Sequence, residues 1–253
     1  MGKRVRRVLV AGGAAAVFAA VAAAPAGAAE GGVSFSRIKV NGGKPIVMGV
    51  GAVSAPTSFR MTTTHKWKWP AVFLYRGSTG NALWHAVGTS DCVPAGPGVC
   101  DFTGTMDFDP RVWDTLNSQA GAWKVGAQVV FSGGGGDTDG TDLTVYLKRN
   151  SRLTVNAAPE PVVKGRTITV TGKVTRANWE TKKYAAYADR LVSLQFKPSG
   201  SSSYTTVKKV HANSSGALRT TVKATKTGTW RWAYYGNTTT GPSTSPGDNV
   251  VVK

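Results

Sequence analysis

Beyond about residue 29, apolar and polar residues alternate with a period of two along most of the chain. Trp123, Val125, Ala127, Val129 and Phe131 form one apolar face, and Leu143, Val145 and Leu147 form the next. This is the pattern of half-buried strands. The glycine-rich stretch 133–140 lies between the two and predicts a hairpin closed by a loop. The same alternation predicts earlier strands over 35–40, 46–50, 58–63, 71–75, 83–89 and 100–108. Asp109-Pro110-Arg111 predicts a short helical turn, with aspartate as cap and proline in the first position.

A second series begins near Ser151, with predicted strands over 153–155, 167–175, 191–196, 204–210, 218–225, 229–235 and 249–252. About seven strands in about 100 residues is the count of an immunoglobulin-like sandwich. Turn residues separate them, as in Lys197-Pro198-Ser199-Gly200 and Asn213-Ser214-Ser215-Gly216. The expected fold is all-β: two consecutive antiparallel β-sandwich domains, residues 29–150 and 151–253, the second immunoglobulin-like. Residues 148–152 contain no proline or glycine, so the link should be short and constrained.

The first residues break the pattern. Lys3, Arg4, Arg6 and Arg7 precede an apolar run over 8–23, followed by the small-residue stretch Pro25-Ala26-Gly27-Ala28-Ala29. That is the layout of a secretory signal peptide, residues 1–28, with Ala26-Gly27-Ala28 as cleavage site. The run is shorter than the roughly 20 residues needed to span a bilayer, which argues against an uncleaved anchor. Arg6-Arg7 leaves both the general and the twin-arginine export routes open. The expected location is extracellular, with no stable membrane insertion after cleavage.

Composition agrees with β structure, since Gly, Thr, Val and Ser abound while Glu occurs only at Glu30, Glu160 and Glu180. The two cysteines, Cys92 and Cys100, bracket a turn-rich loop. In an oxidising compartment they should form a disulfide, worth up to about 2.5 kcal/mol by loop entropy. Two thiols without a neighbouring histidine do not complete a zinc shell.

Charge distinguishes the halves. The chain carries 31 basic and 13 acidic residues; without the four basic residues of the leader, 27 remain against 13, a net charge of +14. Residues 29–150 hold 11 basic and 9 acidic groups, whereas residues 151–253 hold 16 and 4, or +12. Such a field draws polyanions by counterion release. Outside a cell these include anionic cell-wall polymer, extracellular polysaccharide and, non-specifically, nucleic acid. A basic surface also simply keeps a secreted domain soluble.

Two stretches sharpen the binding idea. Trp179, Lys182, Lys183, Tyr184 and Tyr187 fall where an end loop is expected, and there aromatic faces can stack on sugars while lysines meet anions; alternatively the aromatics cap the core. In Trp230-Arg231-Trp232-Ala233-Tyr234-Tyr235, alternation sends Trp230, Trp232 and Tyr234 inward and Arg231 and Tyr235 outward. Arg219 and Lys223, on what reads as the neighbouring strand, are expected to share that outer face.

Asp137, Asp139 and Asp142, with Gly140 between, offer the oxygen ligands and tight turn that calcium prefers. The segment is no EF-hand, because Lys148 stands where the bidentate glutamate belongs; a plain hairpin tip explains the same residues. Catalytic signatures are absent: His65, His85 and His211 are isolated, and no nucleophile elbow or paired-histidine zinc motif occurs. Asp91, Asp101, Asp107, Asp109 and Asp114 could in principle supply the two carboxyl groups of a glycosidase.

Leu153-Thr154-Val155-Asn156-Ala157, Lys164-Gly165-Arg166-Thr167-Ile168-Thr169-Val170-Thr171-Gly172 and Thr229-Trp230-Arg231-Trp232 resemble segments of uncharacterised secreted two-domain β proteins of actinomycetes. The resemblance covers residues 150–253 and, more loosely, the first domain. Some relatives are labelled calcium-binding, which implies an acidic-loop site in the first domain. The expectation carried forward is a secreted, non-catalytic protein that binds anionic polymer. Calcium-dependent binding or adhesion and polysaccharide hydrolysis are the alternatives.

Overall fold

The computed structural model describes residues 32–87, 92–112 and 115–253, and for 84–87 the backbone alone. Residues 1–28, expected from sequence to be a signal peptide, Asp91, Asp114 and the side chain of His85 lie outside the described residues. The first sandwich contains β1 (Val33–Val40), β2 (Ile46–Met48), β3 (Val53–Thr63), β4 (Trp67–Tyr75), β5 (Ala82–Val87), β6 (Val93–Gly96), β7 (Val99–Phe108), β8 (Gly121–Phe131) and β9 (Gly136–Arg149). One sheet runs β1-β3-β7-β6 and the other β2-β9-β8-β4-β5. Alternation works as read: Trp123, Val125, Ala127 and Val129 are buried between the sheets, facing Phe59, Met61, Phe102 and Met106.

Three details differ from expectation. Residues 93–96 form a strand paired to β7, which leaves Pro97-Gly98 as the turn; the Cys92–Cys100 disulfide clips this hairpin. The Gly98 carbonyl accepts from Thr63 N at 2.8 Å, and a Cβ on Gly98 would lie 2.7 Å from Thr63 O. The second difference is in the acidic stretch, where β9 starts at Gly136 and the loop is only 132–135. Asp137 and Asp139 therefore sit opposite Val129 and Ala127 in the ladder instead of at a hairpin tip. Last, Pro110 and Arg111 form a turn and no helix.

The second sandwich contains β10 (Ser151–Ala158), β11 (Thr167–Asn178), β12 (Lys183–Ala186), β13 (Leu191–Pro198), β14 (Thr205–His211), β15 (Ala217–Lys223), β16 (Gly228–Tyr234), β17 (Ser243–Thr244) and β18 (Asp248–Val250). In one sheet β11 is flanked by β10 on one side and by β15 and then β12 on the other. The facing sheet runs β14-β13-β16, with β17 and β18 both on the far side of β16. This is the antiparallel two-sheet arrangement of immunoglobulin-like domains. Trp230, Trp232 and Tyr234 are buried with Val192, Leu194 and Ile168. Trp232 lies over Gly172, where a Cβ would come within 2.8 Å of its ring, and its Nε1 donates to Thr171 O at 3.0 Å. A side chain at 172 would displace that indole.

Only Asn150 separates β9 from β10. Its N–H donates to Met48 O at 2.8 Å and its carbonyl accepts from Ala177 N, so the link is hydrogen-bonded on both sides.

Candidate polymer-binding surface and the interdomain seam

The residues assigned from sequence to one binding loop part company in the fold. Trp179 follows β11, is fully buried, and packs with the first sandwich's core of Ile46, Met48 and Trp123. Its Nε1 donates to Met48 O at 3.2 Å and its backbone N–H to Asn117 Oδ1 at 3.0 Å. Asn117 also donates through Nδ2 to Asn178 Oδ1 and through its backbone to Glu180 Oε1. The segment 118–122 that follows Asn117 is in turn held by Arg76, which donates to the carbonyls of Ser118, Gln119, Ala120 and Ala122 and lies 4.2 Å from the Trp123 ring centroid. Burial lowers the Arg76 pKa. The loop is thus a latch, and Trp179 is unavailable for stacking on a ligand.

Tyr187 is likewise buried, 6% exposed, at the end of the second core. Its hydroxyl meets Thr240 Oγ1 at 3.1 Å, Tyr234 Oη at 3.4 Å and the Nδ2 donor of Asn237 at 3.1 Å. Burial raises its pKa, but these hydrogen bonds and the charge of Arg176 outweigh it, and the net shift is downward. Tyr184 is half-buried: its hydroxyl donates to Asn150 Oδ1 at 3.0 Å, close against Gly49. Lys182 and Lys183 remain exposed.

What the loop loses, a sheet face keeps. The outward positions of β10, β11 and β15 are Arg152, Thr154, Asn156 and Ala158; Thr167, Thr169, Thr171, Lys173 and Thr175; and Arg219, Thr221 and Lys223. Thr171 stands beside Arg219, Lys173 beside Thr154, and Thr175 beside Arg152. Lys223, Arg219, Lys173 and Arg152 therefore form an oblique stripe; from sheet dimensions its last three members step about 8 Å apart and the whole spans roughly 25–30 Å. All four are exposed. The Arg152 guanidinium lies 3.7 Å from the Tyr184 ring centroid, which extends the stripe onto an aromatic surface. Arg152 and Lys173 carried no signal in the sequence reading, because the stripe depends on strand pairing.

The four acids of this domain lie elsewhere. Glu180 faces the first sandwich, Asp189 meets His211 at 3.1 Å, Asp248 accepts from Ala157 N, and Glu160 occupies the turn after β10. One expectation is corrected: Arg219 and Lys223 do not share a face with Arg231 and Tyr235, since β15 pairs with β11 and not with β16. On that other sheet, Arg231 donates to Gln195 Oε1 at 2.8 Å and lies 3.6 Å from the Tyr204 ring centroid.

The acidic stretch also changes meaning. Asp137 and Asp139 share the inward face of Val129 and Ala127, near the free margin of β9 where β2 does not reach. Inward carboxylates on an uncovered edge discourage pairing with another strand. Burial, then the charge of Asp137, raises the Asp139 pKa. Asp142 falls in the irregular part of the β8–β9 ladder, outside the regular register. Among the described residues no three His, Cys, Asp or Glu side chains are placed to share a metal ion, so the loop-type calcium site expected at Asp137, Asp139 and Asp142 gains no geometric support. Asp101 is held bidentately by Arg60, and Asp109 by Arg111, which lowers both carboxyl pKa values. His65 and His211 lie in different sandwiches.

The fold defines the protein's class: an all-β chain of two sandwiches, antiparallel but for the parallel β2–β9 pair, with one disulfide and a strongly basic immunoglobulin-like second domain. No protein-family profile and no curated protein matches it. Among solved structures it is similar to the fibronectin(III)-like modules of Clostridium thermocellum CbhA (14% identity, 85% of this chain, 92% of that one, TM-score 0.31). Intimin D00-D0 (14%, 87% and 99%, 0.29) and the Yersinia pseudotuberculosis adhesin InvE (13%, 90% and 62%, 0.30) are comparable. Likenesses this loose carry no argument about what the chain binds.

Proposed function

We propose that this is a secreted, non-catalytic binding protein that associates with an anionic cell-envelope or extracellular polymer through its second domain. The observation that carries the reading is the stripe of Lys223, Arg219, Lys173 and Arg152 across one sheet face whose other outward residues, Ala158 apart, are threonine and asparagine. Four exposed cations on a rigid sheet meet repeating negative charge without having to rearrange. A polymer that neutralises them releases counterions, so binding falls steeply with salt. The threonine hydroxyls between the cations supply donors and acceptors for sugar or phosphate oxygens.

Cosedimentation of the mature protein with purified cell walls across a salt series tests the reading. Retention at low salt that declines with ionic strength is expected, and replacing the four cations by glutamine should abolish it. Absence of retention even at low salt overturns the proposal.

A further inference from the structure

Arg149, the last residue of β9, is only 8% exposed and has no carboxylate bonded to it among the described residues. The side-chain contacts between basic and acidic groups among the described residues are Arg60–Asp101, Arg111–Asp109 and His211–Asp189. Its Nε donates to Ala177 O at 2.6 Å, while its terminal nitrogens meet no acceptor among the described residues. They are not sealed in: Trp230 Nε1 is the sole fully enclosed side-chain polar atom without a partner there. The backbone of Arg149 is fixed as well, donating to Thr239 O and accepting from Gly241 N, each at 2.9 Å.

A second guanidinium faces the same seam. Arg176 on β11 donates through Nη1 to Thr240 Oγ1 at 3.2 Å and lies 4.1 Å from the Tyr187 ring centroid, with Arg190 at 4.9 Å from the same ring. Burial first, and then the charge of Arg176, pushes the Arg149 pKa down to about 10. Glu180 opposes this least among the groups acting on it, and its carboxylate is bonded to Asn117 N. A largely buried guanidinium with no carboxylate bonded to it carries a desolvation penalty, which an anion on its solvent-accessible donors would offset. Two planar forks carrying two positive charges suit a group with several oxygens and a charge near −2.

From this we infer that the Arg149–Arg176 seam between the sandwiches binds a phosphate or sulfate group, either the free ion or an ester. The site is separate from the sheet stripe and does not depend on it. Because Arg149 belongs to the last strand of the first domain and Arg176 to the second domain, occupancy would tie the two sandwiches together.

Isothermal titration and thermal unfolding of the mature chain, with sodium sulfate, sodium phosphate and glycerol phosphate against sodium chloride at equal ionic strength, test this. The expected result is saturable binding of sulfate or phosphate with a raised midpoint, weakened about tenfold or more in Arg176→Gln. Arg176 is half-buried, so this variant avoids emptying the position of the more deeply buried Arg149. Binding of glycerol phosphate as well would identify an ester-accepting site, and its exclusion a free-ion site. The variant lacking the four stripe cations should respond as the parent does. A non-saturating stabilisation that persists unchanged in Arg176→Gln is general salting-out and overturns the inference, as does the absence of any difference from chloride.

Discussion

Two basic, aromatic regions of the second domain look equally fit for a ligand in one dimension, yet the fold uses them oppositely. The segment from Trp179 to Tyr187 spends its aromatic surface inside the protein: Trp179 in the neighbour's core, Tyr187 at the end of its own. The face of β10, β11 and β15 contributes little to the core and keeps its cations in water. Large aromatic rings gain most by leaving water, whereas Lys and Arg are costly to bury. Where a stretch holds both, packing claims the rings.

The latch can be broken directly. Trp179→Ala empties a fully buried indole site, and buried Trp→Ala changes cost about 3–5 kcal/mol. Differential scanning calorimetry should show the unfolding of the first sandwich separating from, and preceding, that of the second. A single transition at the parental midpoint would mean that Trp179 does not couple the domains. Replacing Cys92 and Cys100 together by serine should cost up to about 2.5 kcal/mol, confined to the first sandwich and read as a shift in its denaturant midpoint.

The stripe should behave in the reverse way. Changing Arg152, Lys173, Arg219 and Lys223 to glutamine should alter stability by no more than about 0.5 kcal/mol per site, because all four are exposed. Polymer retention, however, should disappear. A loss of both stability and binding would place these side chains with the latch instead.

The smallest effect concerns the acidic margin. Because burial raises the Asp139 pKa in the folded chain, the folded state binds its proton more tightly than the unfolded one. The associated stability is fully present below the unfolded value near 4 and is lost as pH rises through the folded value. Asp139→Asn should therefore raise the midpoint slightly at pH 7, by about 1 °C where 1 kcal/mol is worth about 2–4 °C, with the gain vanishing in acid. If loss of the edge carboxylate instead promotes association, light scattering will show it, as expected of an inward charge that blocks strand pairing.

Much of the architecture was legible in the chain. Predicted strands over 71–75, 167–175, 191–196 and 229–235 all fall within observed strands, or within one residue of one, because alternation and burial are the same physical fact seen twice. Three short strands escaped, β6, β12 and β17, of four, four and two residues, too brief to show a period. The glycines over 133–136 drew the acidic residues into a supposed loop, although the strand resumes at Gly136. Arg219 and Lys223 were recognised as outward-facing but placed beside the wrong strand, since neighbours in sequence need not pair in a sandwich whose chain crosses between sheets.

The sequence by itself therefore determined the all-β class, the two domains, the inward and outward sides of most strands, and the concentration of positive charge in residues 151–253. Those properties depend on local alternation and on composition, which the chain carries wherever it folds. Tertiary structure alone decided that Trp179 belongs to the other domain's core, that Arg149 and Arg176 both bond the segment 239–241, and that Arg152, Lys173, Arg219 and Lys223 align. These are relations between segments far apart in sequence. Strand register and domain docking set them, and neither leaves a local pattern to read.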